Sequence, residues 1–308
     1  MALVSHSFNS VPRAPVSDRT DDSGMCFVHH PETLDKRSML EKMNSRFYAY
    51  CRMFFHMATL HALKERPHPL VLLSPDGKYG TWNHDMSALY IMLNGIGGRP
   101  GHWHKYIDEI LDHDPDAAIY CPRIDEDDAV DPYEAAVDLA KFISVHLDDM
   151  PEVPICVISF SNGARVAASL DLLLESPERR VSFITICGLC YGTTWVDFFN
   201  NTLWFLGESK ALEAQHFGND KAKEDILAIR GRDLRRRRAF FVSTEDGSIC
   251  PWYAAAPCLG GEHVFLVHGL LHEEVFQSMH TIVAKLAFLF CYDSEEFEFS
   301  SNVNPVKK

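Results

Sequence analysis

The stretch VISFSNGARVAASLDLL, residues 157–173, decides the fold. Its first residues end the apolar run PICVISF (154–160), which reads as a strand buried on both faces. Residues 164–174 read as a helix. Ser161, Asn162 and Gly163 fall at the bend between them. A serine directly after a buried strand and directly before a helix has the context of a nucleophile elbow. There a strained turn lifts the hydroxyl beyond the strand end and aims the helix N-terminus at it. A serine that merely caps the helix has the same local sequence, so the rest of the chain must separate the two readings.

Outward from that stretch, short apolar runs alternate with amphipathic ones. VLLS (71–74), ALYIML (88–93), AAIYC (117–121), VSFITIC (181–187), AFFVST (239–244) and HVFLVH (263–268) read as further strands. Trp103 to Leu111, Tyr133 to Leu147 and Glu273 to Phe290 read as helices. The alternation implies a mainly parallel central sheet with helices on both faces. An S-x-x-E start at Ser38 and Glu41 precedes Leu40, Met43, Phe47, Cys51, Phe54 and Ala58. Their spacing predicts a long N-terminal helix packed on the body. Residues 1–30 show no periodicity and read as a flexible arm. The link between the strands at 181 and 239 is roughly 50 residues, against about a dozen for a simple crossover, so residues 188–238 read as a helical cap insertion. The core is then 31–187 with 239–308.

Ser159-Phe160-Ser161-Asn162-Gly163 resembles the G-x-S-x-G motif of the α/β-hydrolase superfamily. Ser159 replaces the first glycine, a small residue for a small one, and Gly163 keeps the place where helix must approach strand. The loop Asn94-Gly95-Ile96-Gly97-Gly98 resembles the family's His-Gly loop with Asn94 in place of histidine. The resemblance implies an oxyanion hole built from the backbone N–H groups of Ile96 and Asn162, with Gly95 and Gly97 letting the loop approach the ligand. A plain glycine-rich turn is the competing reading of that loop. Its spacing fits no dinucleotide or phosphate motif.

Family order places an acid and then a histidine after later strands. Asp246, before Gly247, resembles the acid, with Glu245 as its neighbour and rival. His272, after the strand at 263–268 and a short glycine-containing turn, resembles the general base, with His268 as the alternative. What the resemblance implies is a serine hydrolase of carboxylesterase, lipase or thioesterase type: Ser161 attacks, His272 moves the proton, and Asp246 orients His272. An ester or thioester, or an amide, would be cleaved through an acyl-enzyme without a cofactor. The aromatic run that includes Trp195, Phe198 and Trp204 would line an apolar acyl or leaving-group site in the cap. Two other readings stay open: a binding protein that kept the fold without the chemistry, and an acyltransferase using the same residues.

Composition narrows the partners. The 308 residues carry a formal net charge of −14, which repels nucleic acid at long range. No basic-then-apolar leader is apparent and the longest apolar candidates are interrupted by charge, so neither a signal peptide nor a membrane span is expected. Nine cysteines in no even framework, several in apolar runs, fit a reduced, cytoplasmic setting. Cys187 and Cys190 read as core residues, and His102 with His104 as ordinary histidines, so no metal is expected. The Arg235 to Arg238 run reads as a solvated face offsetting nearby acids.

Overall fold

All seven apolar runs form strands, because β-branched and aromatic residues placed without polar interruption can bury both faces of a pleated ribbon. A computed structural model describes residues 3–6, 37–45, 47, 71–72, 85–95, 98, 100–122, 131–174, 179–194, 216–230, 232, 236–249, 251–257, 259 and 262–292. The strands are β1 Leu3–His6, β2 Val71–Leu72, β3 Leu89–Leu93, β4 Ala118–Tyr120, β5 Ile155–Phe160, β6 Val181–Ile186, β7 Arg237–Ser243 and β8 Glu262–Val267. They form one sheet in the order β1-β8-β7-β6-β5-β3-β4-β2. β2 to β8 are mutually parallel, and β1 joins the far edge antiparallel to β8. No strand was expected at 3–6, where four residues carry too little pattern to read.

Helices cover both faces. They are α1 His104–His113, α2 Pro132–Leu147, α3 Gly163–Leu173, α4 Asp220–Arg230, α5 His272–Ser278 and α6 His280–Tyr292. Within β3 and β5 the side chains alternate between two cores, as period-2 geometry requires. Tyr90, Met92, Cys156 and Ile158 join Trp103, Tyr106 and the residues of α6. Leu89, Ile91, Leu93 and Val157 join α2 and α3. Local signals agree with the elements: Pro132 opens α2 and the Asp131 side chain accepts from Tyr133 N–H at 2.7 Å. The helix expected at 273–290 is two helices, bent by 64° at Met279. The bend keeps Met279 buried and lets Phe276 stack on Tyr106. No single helix among the described residues is long and apolar enough to cross a membrane.

Two expectations change in detail. Residues 39–45 are helical, and Ser38 and Glu41 form the capping box, with Ser38 N–H donating to Glu41 Oε2 at 2.8 Å and Glu41 N–H to Ser38 Oγ at 3.3 Å. Of the apolar row, Leu40, Met43 and Phe47 are exposed over more than half of their surface. Cys51, Phe54 and Ala58 lie outside the described residues. The arginine run is not a solvated face. Arg236 and Arg238 are buried and paired with Asp171 of α3, because β7 begins under the end of that helix and two guanidinium groups there need a carboxylate. Within 188–238, α4 packs on α3, with Asp225 held by Arg165 at 3.7 Å; residues 195–215 lie outside the described residues.

Candidate active site

The chain runs from β3 outward to β4, then returns to β5 on the other side of β3. Such a reversal opens a crevice at the carboxyl ends of the two strands between which it occurs. Ser161 stands there, directly after β5, with φ of 52°. A non-glycine residue in this left-handed region carries roughly 1–2 kcal/mol of strain. Ser161 N–H donates to Ile186 O at 3.1 Å, and Ser161 O accepts from Leu189 N–H at 2.9 Å, so the end of β6 fixes the turn from both sides. Ser161 is not the cap of α3. That position belongs to Asn162, and no side-chain cap bond forms there.

Two glycines let the neighbouring backbone close in. A Cβ on Gly163 would lie 2.4 Å from Leu93 O and 2.8 Å from Asn94 O, so α3 starts in direct contact with the end of β3. A Cβ on Gly95 would lie 2.7 Å from Ser161 Cβ and 3.3 Å from its Oγ. The loop after β3 therefore runs against the serine itself. Asn94 anchors that loop: its Oδ1 accepts from the indole N–H of buried Trp103 at 2.6 Å. Ile96 and Gly97 lie outside the described residues. Asn162 N–H sits at the amino end of α3, where helix geometry leaves N–H groups for a ligand. The Asn162 Oδ1 is buried and unpaired, an acceptor beside the serine that sequence reading had no means of finding.

The second half of the site comes from the ends of β7 and β8. Asp246 and His272 meet, with Nδ1 2.8 Å from Oδ2 and both side chains buried. A carboxylate accepts only, so Nδ1 carries the proton and Nε2 is left as the acceptor. The other Asp246 oxygen accepts from Ser248 N–H at 2.8 Å and Ile249 N–H at 2.9 Å. The imidazole packs on Phe160, the residue before Ser161, with ring centroids 4.8 Å apart. Burial alone would lower the His272 pKa, but the charge and hydrogen bond of Asp246 and the charge of Glu273 outweigh it and hold it above the ordinary value. A left-handed serine stands where the parallel sheet reverses between β3 and β5, and the acid and histidine from the last two strands are bonded to each other with the imidazole packed on the residue before that serine.

This chain has the α/β-hydrolase fold. The rival residues of the acid and base loops have other partners. His268 bonds Thr244 through Nδ1 at 2.8 Å, and the Glu245 carboxylate accepts from Gly269 N–H and Thr244 Oγ1. Cys187, at the end of β6 with φ of 44°, brings its thiol within 4.8 Å of the Asp246 carboxylate, and burial and the Asp246 charge keep that thiol protonated. Cys187 is the core residue its apolar run predicts, and the fold in addition sets it beside the acid. Cys187, Asp246 and His272 present ligand atoms within 4.8 Å of one another. They could hold a zinc-like cation only by breaking the Asp246–His272 bond and removing a thiol proton that the site retains. Trp195, Phe198 and Trp204 lie outside the described residues. His104 Nδ1 lies 3.2 Å from Gly101 O.

No family model matches this chain. No curated protein matches it either. Solved structures do. Lipase BlEst2 of Bacillus licheniformis in its mature form is 12% identical over 66% of this chain and 93% of its own, at a TM-score of 0.49. The peroxisomal α/β-hydrolase Lpx1 of Saccharomyces cerevisiae is 14% identical over 73% and 82%, at 0.44. Phospholipase PlaB of Legionella pneumophila is 13% identical over 50% of this chain, at 0.40, and the match spans only 38% of its length.

Proposed function

We propose that the protein is a serine hydrolase that cleaves an ester or thioester of an apolar acid through an acyl-enzyme at Ser161. The observation that carries this reading is the left-handed Ser161 at the strand reversal, combined with the Asp246–His272 hydrogen bond at the ends of the last two strands. The cap of α3 is Asn162, and capping has no use for the strain found at Ser161.

In this reading His272 Nε2 takes the proton from Ser161 Oγ as the oxygen attacks the substrate carbonyl carbon. The imidazolium that forms is stabilised by Asp246. Negative charge collects on the carbonyl oxygen and is met by Asn162 N–H and, from the loop after β3, Ile96 N–H, each donor being worth about 3 kcal/mol. Collapse of the tetrahedral species expels the alcohol or thiol, which receives the proton from His272. Water then repeats the cycle on the acyl-enzyme and frees the acid. The apolar substrate rests on the aromatic run around Trp195, Phe198 and Trp204 in the sequence.

The test is labelling of the full chain with a fluorophosphonate probe, alongside hydrolysis of p-nitrophenyl esters from acetate to palmitate. Wild type should label and turn over, and Ser161→Ala should do neither. An unlabelled, inactive wild type would leave a binding protein built on this fold.

A further inference from the structure

Glu245 is a buried charge beside the proposed triad that the reaction does not use. Its side chain is fully enclosed. Oε2 accepts from Gly269 N–H at 2.5 Å and from Thr244 Oγ1 at 2.8 Å, and Oε1 is paired with the Arg37 guanidinium, while the Ser45 hydroxyl also favours its charged form. Burial by itself would push this carboxyl up, yet those donors hold it below the usual carboxylate range. Three segments distant in sequence thus meet on one side chain. Glu245 immediately precedes Asp246, and Gly269 lies in the turn that leads into His272. Arg37 stands just before the N-terminal helix and Ser45 within it. That helix leaves Met39, Leu40 and Met43 exposed, and the Arg37–Glu245 pair ties its start to the loops that carry Asp246 and His272.

We propose that residues 37–45 are a strap that positions Asp246 and His272 through Glu245, with Arg37 as the cation that lets this carboxylate stay buried between the two loops. The proposal rests on the serine-hydrolase reading for its consequence in catalysis, though not for its structural part. Without Arg37, Glu245 must take up a proton, draw in water or swing toward solvent. Because it is the chain neighbour of Asp246 and bonds the turn before His272, each of those responses displaces the acid and base relative to Ser161. A displacement of about 1 Å costs roughly 100-fold in rate. Glu245 and Arg37 are positioning residues here; neither touches substrate.

The test compares full-length Arg37→Gln, Arg37→Lys, Glu245→Gln and the Arg37→Gln/Glu245→Gln double variant. Two readouts are taken: kcat and KM on a short p-nitrophenyl ester, and hydrogen exchange of the segments 243–249 and 267–272. Arg37→Gln should lose about 100-fold in kcat at little change in KM, with faster exchange in both segments, and Arg37→Lys should recover part of the loss. Once Glu245 is replaced by a neutral amide the cation is no longer needed, so the double variant should match Glu245→Gln in both readouts. Should Arg37→Gln fail to fold, that last comparison carries the test alone. The proposal is overturned if Arg37→Gln keeps wild-type kcat and exchange, or if removing Arg37 costs as much in the Glu245→Gln background as in wild type. An unlabelled wild type would sink the hydrolase reading, and the exchange data would still decide the strap.

Discussion

Gly163→Ala separates the elbow from an ordinary helix start. Elsewhere in a helix this change is mildly favourable, by about 1 kcal/mol. At position 163 the added Cβ would sit 2.4 Å from Leu93 O and 2.8 Å from Asn94 O, both backbone atoms of the strand end that carries the oxyanion loop. Non-bonded heavy atoms are comfortable near about 3.5 Å, so α3 and β3 must part by roughly 1 Å. Overpacking of this kind costs about 1–3 kcal/mol, which cancels or exceeds the propensity gain, and the first turn collects little of that gain. The larger effect falls on activity. Parting β3 from α3 moves Gly95 and its loop away from Ser161 and Asn162, the two sides of the proposed oxyanion site, and a shift of about 1 Å is worth roughly 100-fold. The assay is kcat/KM on p-nitrophenyl acetate together with a thermal melt. A variant that melts like wild type and keeps its kcat/KM within about threefold would refute the close-approach argument.

The remaining expectations concern charge. Because Asp246 and Glu273 raise the His272 pKa against the opposing effect of burial, kcat/KM should fall on the acid side through an apparent value above the ordinary 6.5 or so. The same shift stabilises the folded protein fully below about pH 6.5 and fades as pH rises through the folded pKa, so activity grows in the window where that contribution is lost. Asp246→Asn should cut kcat on the order of 10⁴-fold and move the acid limb to lower pH; an unmoved limb in a pH–rate profile would remove Asp246 from its role. Cys187→Ala should lower kcat by about tenfold through loss of the protonated thiol beside Asp246, while Cys187→Ser, which keeps a donor, stays near wild type; equal rates in all three would make the thiol a spectator. Asp171→Ala leaves Arg236 and Arg238 buried without their carboxylate, and urea titration should show a loss of about 3–5 kcal/mol. Burial and the adjacent Arg238 already pull Arg236 down to about 10.

The fold was readable because its signal is redundant. Seven apolar runs and the helices between them each point to the same layered sheet, and tertiary context had only to order them. What escaped the sequence depends on neighbours far along the chain. Nothing in RRRR distinguishes a solvated face from arginines drawn under α3, since the deciding partner, Asp171, lies far earlier in the chain and is itself unremarkable as a helical aspartate. The row of Leu40, Met43 and Phe47 has helical spacing, and the capping box is where Ser38 and Glu41 place it, yet spacing says which residues share a face and not what that face meets. The helix break at Met279 carries no glycine or proline to announce it.

Glu245 and Asp246 show why a site is harder to read than a fold. They are neighbours of the same charge at the end of one strand, and composition gives no reason to prefer either as partner of a histidine. The structure assigns them by what each loop end offers: two backbone N–H groups at 248 and 249 and an imidazole N–H for Asp246, a glycine N–H and an N-terminal guanidinium for Glu245. Two like charges so close are tolerable only because each has its own donors, and that division fixes the loop more firmly than one carboxylate would. The same logic links the strained ends of β5 and β6. Ser161 and Cys187 both hold left-handed dihedrals. Ser161 is braced by Ile186 O and Leu189 N–H, and Cys187 N–H donates to Phe241 O at 2.8 Å. The strain therefore sits where three central strands can hold it, with one strained residue carrying the proposed nucleophile and the other beside the acid, an arrangement that simple helix capping and core filling would not require.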